Sequence, residues 1–502
     1  MNSSSARLWF AQAARRYGWL AIALLVGALC RFWDLTGPSL FIDEGFVFHI
    51  SEHAPKEILQ LVAYTDFHPP LFYLVTHYLM GLLHWAPWDY RYFTAAFSLT
   101  GIVATWAIAR RCFGDVAAAV AAMALAFEPA LIEFDRLYRM YAVLTALGAI
   151  SWWLVLRASN AQGRSRLPWW IAYGVSAVLL PYVHYVGAFV VASQGLYALT
   201  QLRRMWPVLV CGLVALLALV PWMWAIKVQY PNGGYVIRLN SPEFSWAEVI
   251  RATIAYGLPI DWMLKPAFDP IFSTCVVAVG LAGIYLGRKS VLPFWCAPII
   301  VQVAASLLTG KDLVVPRYLY VYVPALCIAF GVVVATLART KFRVVGAALV
   351  ALYIGISVMS VYDLIFVPFY QFPDWYGINA LLLQHERKND IIVMDQGAEY
   401  WVVRDFTAFR KHQMQGPAIP SDLDSTIAWL AGYPKRRVWY IENQPTFTDA
   451  KHRVEKALDA TRPALGRWRQ PRAFREDIVR VVLYGPRFAA GGKKSVVKTK
   501  SP

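Results

Sequence analysis

The sequence predicts an α-helical polytopic membrane protein with about eleven spanning helices, a juxtamembrane helix and a small C-terminal extracytoplasmic α/β domain. Three observations support this fold class. The 502 residues are 58% hydrophobic and only 16% charged. Apolar stretches of spanning length recur through the first 365 residues. After residue 366 the apolar runs shorten to the length of β-strands, which indicates a change of architecture.

The predicted spanning helices follow from runs that are long enough to cross a bilayer, for which about 20 apolar residues are needed. The first run follows Arg7, Arg15 and Arg16 and is too long for a signal peptide, so we interpret it as an uncleaved helix. The runs cover residues 18–34, 90–109, 114–134, 140–157, 168–182, 183–201, 205–225, 268–287, 290–309, 318–337 and 343–365.

The stretch 68–86 is also apolar, but its polar residues form one stripe. Tyr73, His77, Gly81 and His84 recur at helical spacing, which is typical of a helix that lies in the membrane interface. The distribution of basic residues supports this interpretation. If 68–86 does not span, every basic loop between the apolar runs falls on the cytoplasmic side, as the positive-inside rule requires.

The chain is therefore expected to have a cytoplasmic N-terminus at 1–17, a transmembrane domain at 18–365, an extracytoplasmic α/β domain at 366–490 and a disordered tail at 491–502. In the α/β domain, short apolar runs at 391–394, 438–441 and 478–483 alternate with helix-like stretches at 374–387, 421–432 and 448–459. Residues 366–502 have 22 Lys and Arg against 14 Asp and Glu residues, which favours contact with anionic headgroups or an anionic glycolipid.

The formal net charge of +17 does not indicate a nucleic-acid-binding protein, because much of the basic excess lies in short loops between apolar runs. Six cysteines all lie in or beside apolar segments and form no metal-binding or disulfide spacing, so we interpret them as inert thiols.

Two acidic groups in the first predicted extracytoplasmic segment are candidate catalytic residues. Asp43 and Glu44 are adjacent carboxylates close to the bilayer, where ionisable groups are costly unless they are used. Partial desolvation raises a carboxylate's pKa and makes it a better proton acceptor. The alternative is a solvated loop acid or a helix N-cap.

Asp66 and His68 are candidate substrate-binding residues in the run Asp66-Phe67-His68-Pro69-Pro70. The proline pair is typical of a helix start, and a helix N-terminus favours anions. His68 could hold a phosphate or a metal, and a purely structural helix start stays open as the alternative.

Asp135, Arg136 and Arg139 lie at the predicted outer end of one span and are further candidates for substrate binding. The two arginines are three residues apart, so they share a face if the segment is helical. The planar guanidinium group suits phosphate, whereas interfacial snorkelling is the alternative.

A second basic corner on the same predicted face contains Lys311, Arg317 and Tyr318. A cation there could neutralise charge that develops on a phosphate leaving group. Simple contact with headgroups is the alternative. We interpret Tyr182, His184 and Tyr185, which interrupt an apolar hairpin, as core and interface residues.

These motifs resemble those of the GT-C glycosyltransferases, in particular the branch of protein O-mannosyltransferases and aminoarabinose transferases. The resemblance rests on Asp43-Glu44 after the first helix, on residues 66–73 and 136–141, and on Arg317-Tyr318. It implies a polyprenyl-phosphate-linked sugar donor, inversion at the anomeric carbon, and Asp43 as the general base with Glu44 as its companion. It leaves a divalent metal possible, with Glu44 and His68 as candidate ligands.

The function that we expect is transfer of a sugar to a hydroxyl of a glycolipid, glycan or protein at the outer face of a bacterial inner membrane, in contact with membrane lipids and without nucleic acid. A glycan ligase or polymerase of the same class is one alternative. A secondary transporter is another, although the notable charges here lie at one predicted face rather than at the midplane.

Overall fold

The computed structural model describes residues 3–232, 269–309, 316–367, 373–395, 400–403, 406–416, 422–443, 449–474 and 477–488. The chain divides into two compact units, which are described separately. The first comprises Met1–Leu35 and Ile50–Val361, and the second comprises Thr36–His49 and Tyr362–Pro502. Lys311 and the tail 491–502 lie outside the described residues.

All eleven predicted apolar stretches contain a helix, and so does the interfacial stretch. The helices that belong wholly or mostly to the first unit are α1 Ser3–Phe32, α3 Pro55–Thr65, α4 Leu71–Leu83, α5 Arg91–Phe113, α6 Asp115–Ala126, α7 Pro129–Asp135, α8 Met140–Asn160, α9 Leu167–Val183, α10 Val186–Leu199, α11 Leu202–Leu219, α12 Met223–Asn232, α13 Asp269–Leu286, α14 Leu292–Thr309, α15 Val323–Leu337 and α16 Arg343–Phe366. The helix α2, Ile42–Ser51, begins in the second unit.

Five helices of the described residues are long and apolar enough to cross a membrane, or six if one bent pair counts as a single span. This number is below eleven because several of the predicted spans form shorter apolar helices, such as Val186–Leu199. The bent pair is α6 and α7, which meet at 54°. Pro129 at the start of α7 cannot donate a backbone hydrogen bond to the preceding turn, which accounts for the break.

The second unit contains a five-stranded sheet in the order β2-β1-β3-β5-β4. The strands β2, β1 and β3 are parallel, whereas β5 is antiparallel to both β3 and β4. Its strands and helices are β1 Ile391–Met394, β2 Gln413–Gln415, β3 Val438–Glu442, β4 Ala464–Phe474, β5 Asp477–Tyr484, α17 Trp375–His385, α18 Tyr400–Val403, α19 Thr407–Lys411, α20 Leu423–Ala431 and α21 Arg453–Thr461.

Helices cover both faces of this sheet, so its central strands are buried throughout. Alternate residues of β1 point to opposite faces. Ile392 and Met394 pack in one core cluster with Trp375 of α17. Ile391 and Val393 pack in the other cluster with α20 and α21. The continuous apolar runs of the sequence therefore mark central strands.

The segment Thr36–His49, which the sequence analysis assigned to the transmembrane domain, packs as part of the second unit. The Ser39 hydroxyl donates to the Pro373 carbonyl at 2.6 Å and accepts from the Trp375 backbone N–H at 3.1 Å. The rings of Phe46 and His49 both contact Trp401, each at a centroid distance of 5.2 Å. The segment that carries the acidic pair, which forms the start of α2 and not the predicted loop, is thus held by the α/β domain.

Candidate active site

A buried carboxylate–imidazole pair lies between α3 and α4 of the first unit. Asp66 accepts hydrogen bonds from the Phe67 backbone N–H at 2.8 Å, from His68 Nδ1 at 2.9 Å and from the Tyr73 hydroxyl. Asp66 and His68 are 7% and 5% exposed. The two prolines that follow end the extended segment and start α4, so the local sequence itself places the pair at a helix N-terminus.

Within this pair Asp66 is the hydrogen-bond acceptor and His68 is the donor. Burial alone would raise the pKa of Asp66, but its interaction with His68, the charge of Arg139 and the Tyr73 hydrogen bond hold that pKa well below its usual range. Asp66 is therefore an ionised acceptor at neutral pH. Because His68 donates through Nδ1, its Nε2 carries a lone pair when the ring is neutral. This Nε2 is buried and has no hydrogen-bond partner among the described residues.

A second buried imidazole faces the first. The rings of His68 and His184 lie 5.2 Å apart, and the His184 ring lies 4.7 Å from that of Tyr318 and 5.8 Å from that of Tyr141. His184 Nδ1 accepts from the Val186 backbone N–H at 3.2 Å. Burial and the charges of His68, Arg317 and Arg139 hold the pKa of His184 well below its usual range. His184 is therefore neutral, with its proton on Nε2.

The Nε2–H of His184 is a hydrogen-bond donor, and it too lacks a hydrogen-bond partner within the described ranges. His184 is thus buried, as expected of a core residue, and its position also makes it a candidate site residue. The signal was present in the sequence as a polar interruption of an apolar hairpin. Only the packing of α9 and α10 against the loop before α4 brings this histidine to Asp66 and His68.

Two arginines supply positive charge to the same cluster. Arg139 is 3% exposed, and its guanidinium lies 5.9 Å from the Tyr141 ring centroid. The Arg317 guanidinium lies 5.8 Å from the ring centroid of Tyr318. Both charges act on His184, and that of Arg139 also acts on Asp66. With one carboxylate, two arginines and a neutral imidazole donor, the cluster favours an anion.

The remaining predicted residues at this corner make structural contacts. Asp135 accepts from Arg31 Nε at 2.8 Å in a buried ion pair. Arg136 donates to carbonyls at the end of α1, including that of Trp33 at 2.6 Å. The condition under which Arg136 and Arg139 would share a helical face is not met, because α7 ends at Asp135 and Arg139 is the extended N-cap of α8.

Asp43 and Glu44 occupy the first turn of α2. Glu44 is fully buried and accepts from the Phe41 backbone N–H at 2.8 Å, so it closes the turn at the helix start. Asp43 is half-buried. The α2 backbone lies against α18, where a Cβ on Gly45 would approach Val402 Cγ2 to 2.8 Å. Glu44 is the third residue of α2 and bonds back to the residue before the helix, so it supports the helix start without being the N-cap itself. The role of Asp43 as general base stays a prediction.

The ligand set for a metal is incomplete around His68. Its Nε2 is a suitable nitrogen donor, but the oxygens of Asp66 are already engaged, and the proton on His184 Nε2 disfavours coordination. Among the described residues, the one cluster of three potential ligands is Glu442, His452 and Glu455 in the α/β unit. Arg480 already binds both carboxylates there.

Comparisons with known proteins agree with this fold. Residues 67–224 match the family model described as dolichyl-phosphate-mannose-protein mannosyltransferase. No curated protein sequence matches the chain significantly.

Solved structures align over nearly the whole chain. ArnT from Cupriavidus metallidurans bound to undecaprenyl phosphate shares 16% identity, with 93% of this chain and 98% of that chain covered and a TM-score of 0.52. Its apo state gives 17% identity, 95% and 98% coverage and a TM-score of 0.51. The oligosaccharyltransferase AglB from Archaeoglobus fulgidus, in complex with an inhibitory peptide and a dolichol-phosphate, shares 11% identity. The alignment covers 91% of this chain and 73% of that chain, with a TM-score of 0.52. The chain therefore has the fold of these membrane proteins, as the resemblance seen in the sequence predicts.

Proposed function

We propose that the protein is a membrane glycosyltransferase that moves a sugar from a polyprenyl-phosphate donor to a hydroxyl acceptor. The observation that carries this proposal is a cluster in a GT-C fold that joins the half-buried Arg317 to four buried polar residues, Asp66, His68, Arg139 and His184. The match to ArnT bound to undecaprenyl phosphate supports a lipid-phosphate donor.

The cluster suits the phosphate of such a donor. Arg139 and Arg317 are the cations, with Tyr318 beneath the second guanidinium. The uncharged His184 can donate from Nε2 to a phosphate oxygen without adding a titrating charge. Negative charge grows on the phosphate as the sugar leaves, so groups already oriented towards it stabilise the transition state. We assign the phosphate role to these residues, and to Lys311 as a further cation, rather than to Arg136, which bonds to carbonyls at the end of α1.

The proposed chemical step is a single inverting displacement. The acceptor hydroxyl oxygen forms a bond to the anomeric carbon while the bond from that carbon to the phosphate oxygen breaks. Asp43 takes the hydroxyl proton, and the electron pair of the broken bond leaves with the polyprenyl phosphate. Glu44 contributes by fixing the turn that presents Asp43, through its bond to the Phe41 N–H.

The acceptor is a glycolipid, glycan or protein at the outer face of a bacterial inner membrane. The basic composition of residues 366–502 supports an anionic glycolipid. A glycan ligase, or a transferase that uses a long glycan donor, is a second candidate, and the structural match to the oligosaccharyltransferase AglB favours it. We prefer the proposal of a single-sugar donor, because the alignment with this chain covers 98% of ArnT but only 73% of AglB.

The test is mass spectrometry of envelope glycolipids, glycans and polyprenyl-phosphate sugars. Cells that lack the protein are compared with cells restored by wild type, by Asp43→Asn, or by the control Asp89→Asn, at equal expression. We expect one sugar mass to disappear in the null strain and to return with wild type and Asp89→Asn only. No change in any glycan refutes the transferase proposal, and full restoration by Asp43→Asn refutes Asp43 as the base.

A separate test addresses the phosphate cluster. Donor affinity of the purified protein is measured for wild type, Arg317→Ala and the control Arg288→Ala, which removes an arginine beside Tyr285. A hydrogen bond to a charged group contributes about 1.5–3 kcal/mol, so Arg317→Ala should weaken donor binding by about tenfold or more. Equal affinities in the two variants would remove Arg317 from the phosphate site.

A further inference from the structure

A cleft of about 720 Å³ opens at one end of the helical bundle, and the proposed transferase chemistry does not use it. It lies where α5 and α8 end and where α6 and α9 begin, beside Tyr17 of α1. Its volume falls in the range of small-molecule sites, about 300–1,000 Å³. It is lined by Tyr17, Trp106, Ala107, Arg110, Arg111, Gly114, Asp115, Trp153, Arg157 and Trp169.

Arginines and aromatic rings alternate around this cleft. The Arg110 guanidinium lies 5.0 Å from the Trp106 ring centroid and 5.7 Å from that of Tyr17. On the other side, the Arg157 guanidinium lies 5.2 Å from the ring centroid of Trp169. The stacked rings restrict the arginines, so less conformational freedom is lost when a ligand binds.

The charge balance of the cleft favours an anion. Three lining arginines face one lining carboxylate, and that carboxylate, Asp115, is exposed and bonded to Arg110 Nε at 2.6 Å. The helix α6 also starts in the cleft. Its N-cap is Gly114, at φ +93°, and no side chain within the described residues caps the helix there. The first N–H groups of this 12-residue helix add to the positive potential.

The surroundings distinguish a lipid from a soluble anion. Val116 follows Asp115 on α6 and is 50% exposed, while Leu167 and Ile171 lie on one face of α9, the helix that also carries Trp169, and are 63% and 58% exposed. In a membrane these apolar side chains contact acyl chains. Trp and Tyr rings at the ends of spanning helices are typical of the headgroup layer. The cleft thus offers a polar, cationic site beside a surface for hydrocarbon.

We propose that this cleft binds the phosphodiester headgroup of an anionic glycerophospholipid. The phosphate lies among Arg110, Arg111 and Arg157, and the acyl chains run along α6 and α9. By the positive-inside rule these arginines are on the cytoplasmic side, so the bound lipid would come from the inner leaflet.

The experiment uses the purified full-length protein in mixed micelles that contain phosphatidylglycerol and phosphatidylcholine with matched acyl chains. Native mass spectrometry counts retained lipids for wild type, the double variant Arg110→Gln/Arg157→Gln, and the control Arg288→Gln/Arg339→Gln. The control removes two arginines that lie outside the cleft. We expect wild type and control to retain phosphatidylglycerol preferentially. The cleft variant should lose about fivefold affinity per arginine, or about 25-fold in all.

The single variant Arg157→Gln keeps the test valid if the double variant folds poorly, because Arg157 is exposed. It should lose about fivefold. Glycerol phosphate, which has the phosphate but no acyl chains, is added as a competitor. Three results would overturn the proposal: no preference for phosphatidylglycerol in wild type, equal losses of affinity in the cleft and control variants, or displacement of bound phosphatidylglycerol by glycerol phosphate as readily as by phosphatidylglycerol itself. The last would identify a soluble phosphate ligand instead of a lipid. All of these outcomes are independent of glycosyl transfer.

Discussion

Replacing Gly45 by alanine tests how the α/β domain holds the acidic segment. Gly45 lies in the first half of α2, two residues after Asp43. A Cβ at this position would lie 2.8 Å from Val402 Cγ2 and 3.1 Å from both the Trp401 carbonyl carbon and the Val402 backbone nitrogen. Two of these three contacts are with backbone atoms, which cannot rotate away. The substitution must therefore displace α2 from α18.

The magnitude follows from a comparison with a second glycine. Gly81 lies in α4, and a Cβ there would meet nothing within 4 Å. Removing a helical glycine stabilises either helix by about 0.5–1 kcal/mol. Because this gain is common to both variants, their difference isolates the overpacking cost, which is about 1–3 kcal/mol. Gly81→Ala should therefore be slightly more stable than wild type, and Gly45→Ala less stable than Gly81→Ala by about that cost.

The assay is unfolding in detergent, followed by tryptophan fluorescence at one fixed scan rate because membrane proteins often unfold irreversibly. Turnover is measured on the same samples. Since a misplacement of about 1 Å can cost about 100-fold in rate, we expect Gly45→Ala to lose at least tenfold in turnover. The double variant Gly45→Ala/Val402→Ala removes the nearest clashing methyl and should recover part of both losses.

The result that would refute the reasoning is equal stability and equal turnover for Gly45→Ala and Gly81→Ala. In that case α2 does not pack closely against α18. A loss in Gly45→Ala without any recovery in the double variant would assign the clash to the backbone of Trp401 and Val402 alone.

Three further predictions concern buried polar contacts. Ser39→Ala leaves the Pro373 carbonyl and the Trp375 N–H without this partner, so the free energy of unfolding should fall by about 1–3 kcal/mol. A loss below about 0.3 kcal/mol would contradict the two hydrogen bonds of Ser39 as a stabilising contact. Asp135→Asn leaves Arg31 as a buried charge without its counterion, so the free energy of unfolding should fall by about 3–5 kcal/mol. We expect a lower yield of monodisperse protein in size-exclusion chromatography, and a yield equal to wild type would contradict this prediction. Asp66 has a lowered pKa, so its ion pair stabilises the fold above the usual Asp pKa of about 4, and this contribution is lost as pH falls further. The stability difference between wild type and Asp66→Asn should therefore be constant at neutral pH and shrink below about pH 4, and a difference that grows on acidification would reverse the assigned sign.

The sequence by itself determined the secondary structure of most of the molecule. Each apolar stretch became a helix because a run of that length can satisfy its backbone hydrogen bonds internally only as a helix in a bilayer. The runs at 391–394 and 438–441 became strands because they are short and β-branched or aromatic. The start of α4 after Pro69-Pro70 was equally local, since proline sets the backbone angle.

The tertiary structure decided which side chains meet. Asp135 pairs with Arg31 across 104 residues, and Ser39 bonds to Pro373 across 334. Hydrophobic periodicity and helix caps report on neighbours within a turn or two and carry no information on such distant contacts. For this reason the sequence predicted Asp66 and His68 as candidate site residues but not their contact with His184, and it did not predict that Arg136 bonds to the end of α1. It also placed the Asp43 segment in the transmembrane domain, although that segment packs in the α/β unit.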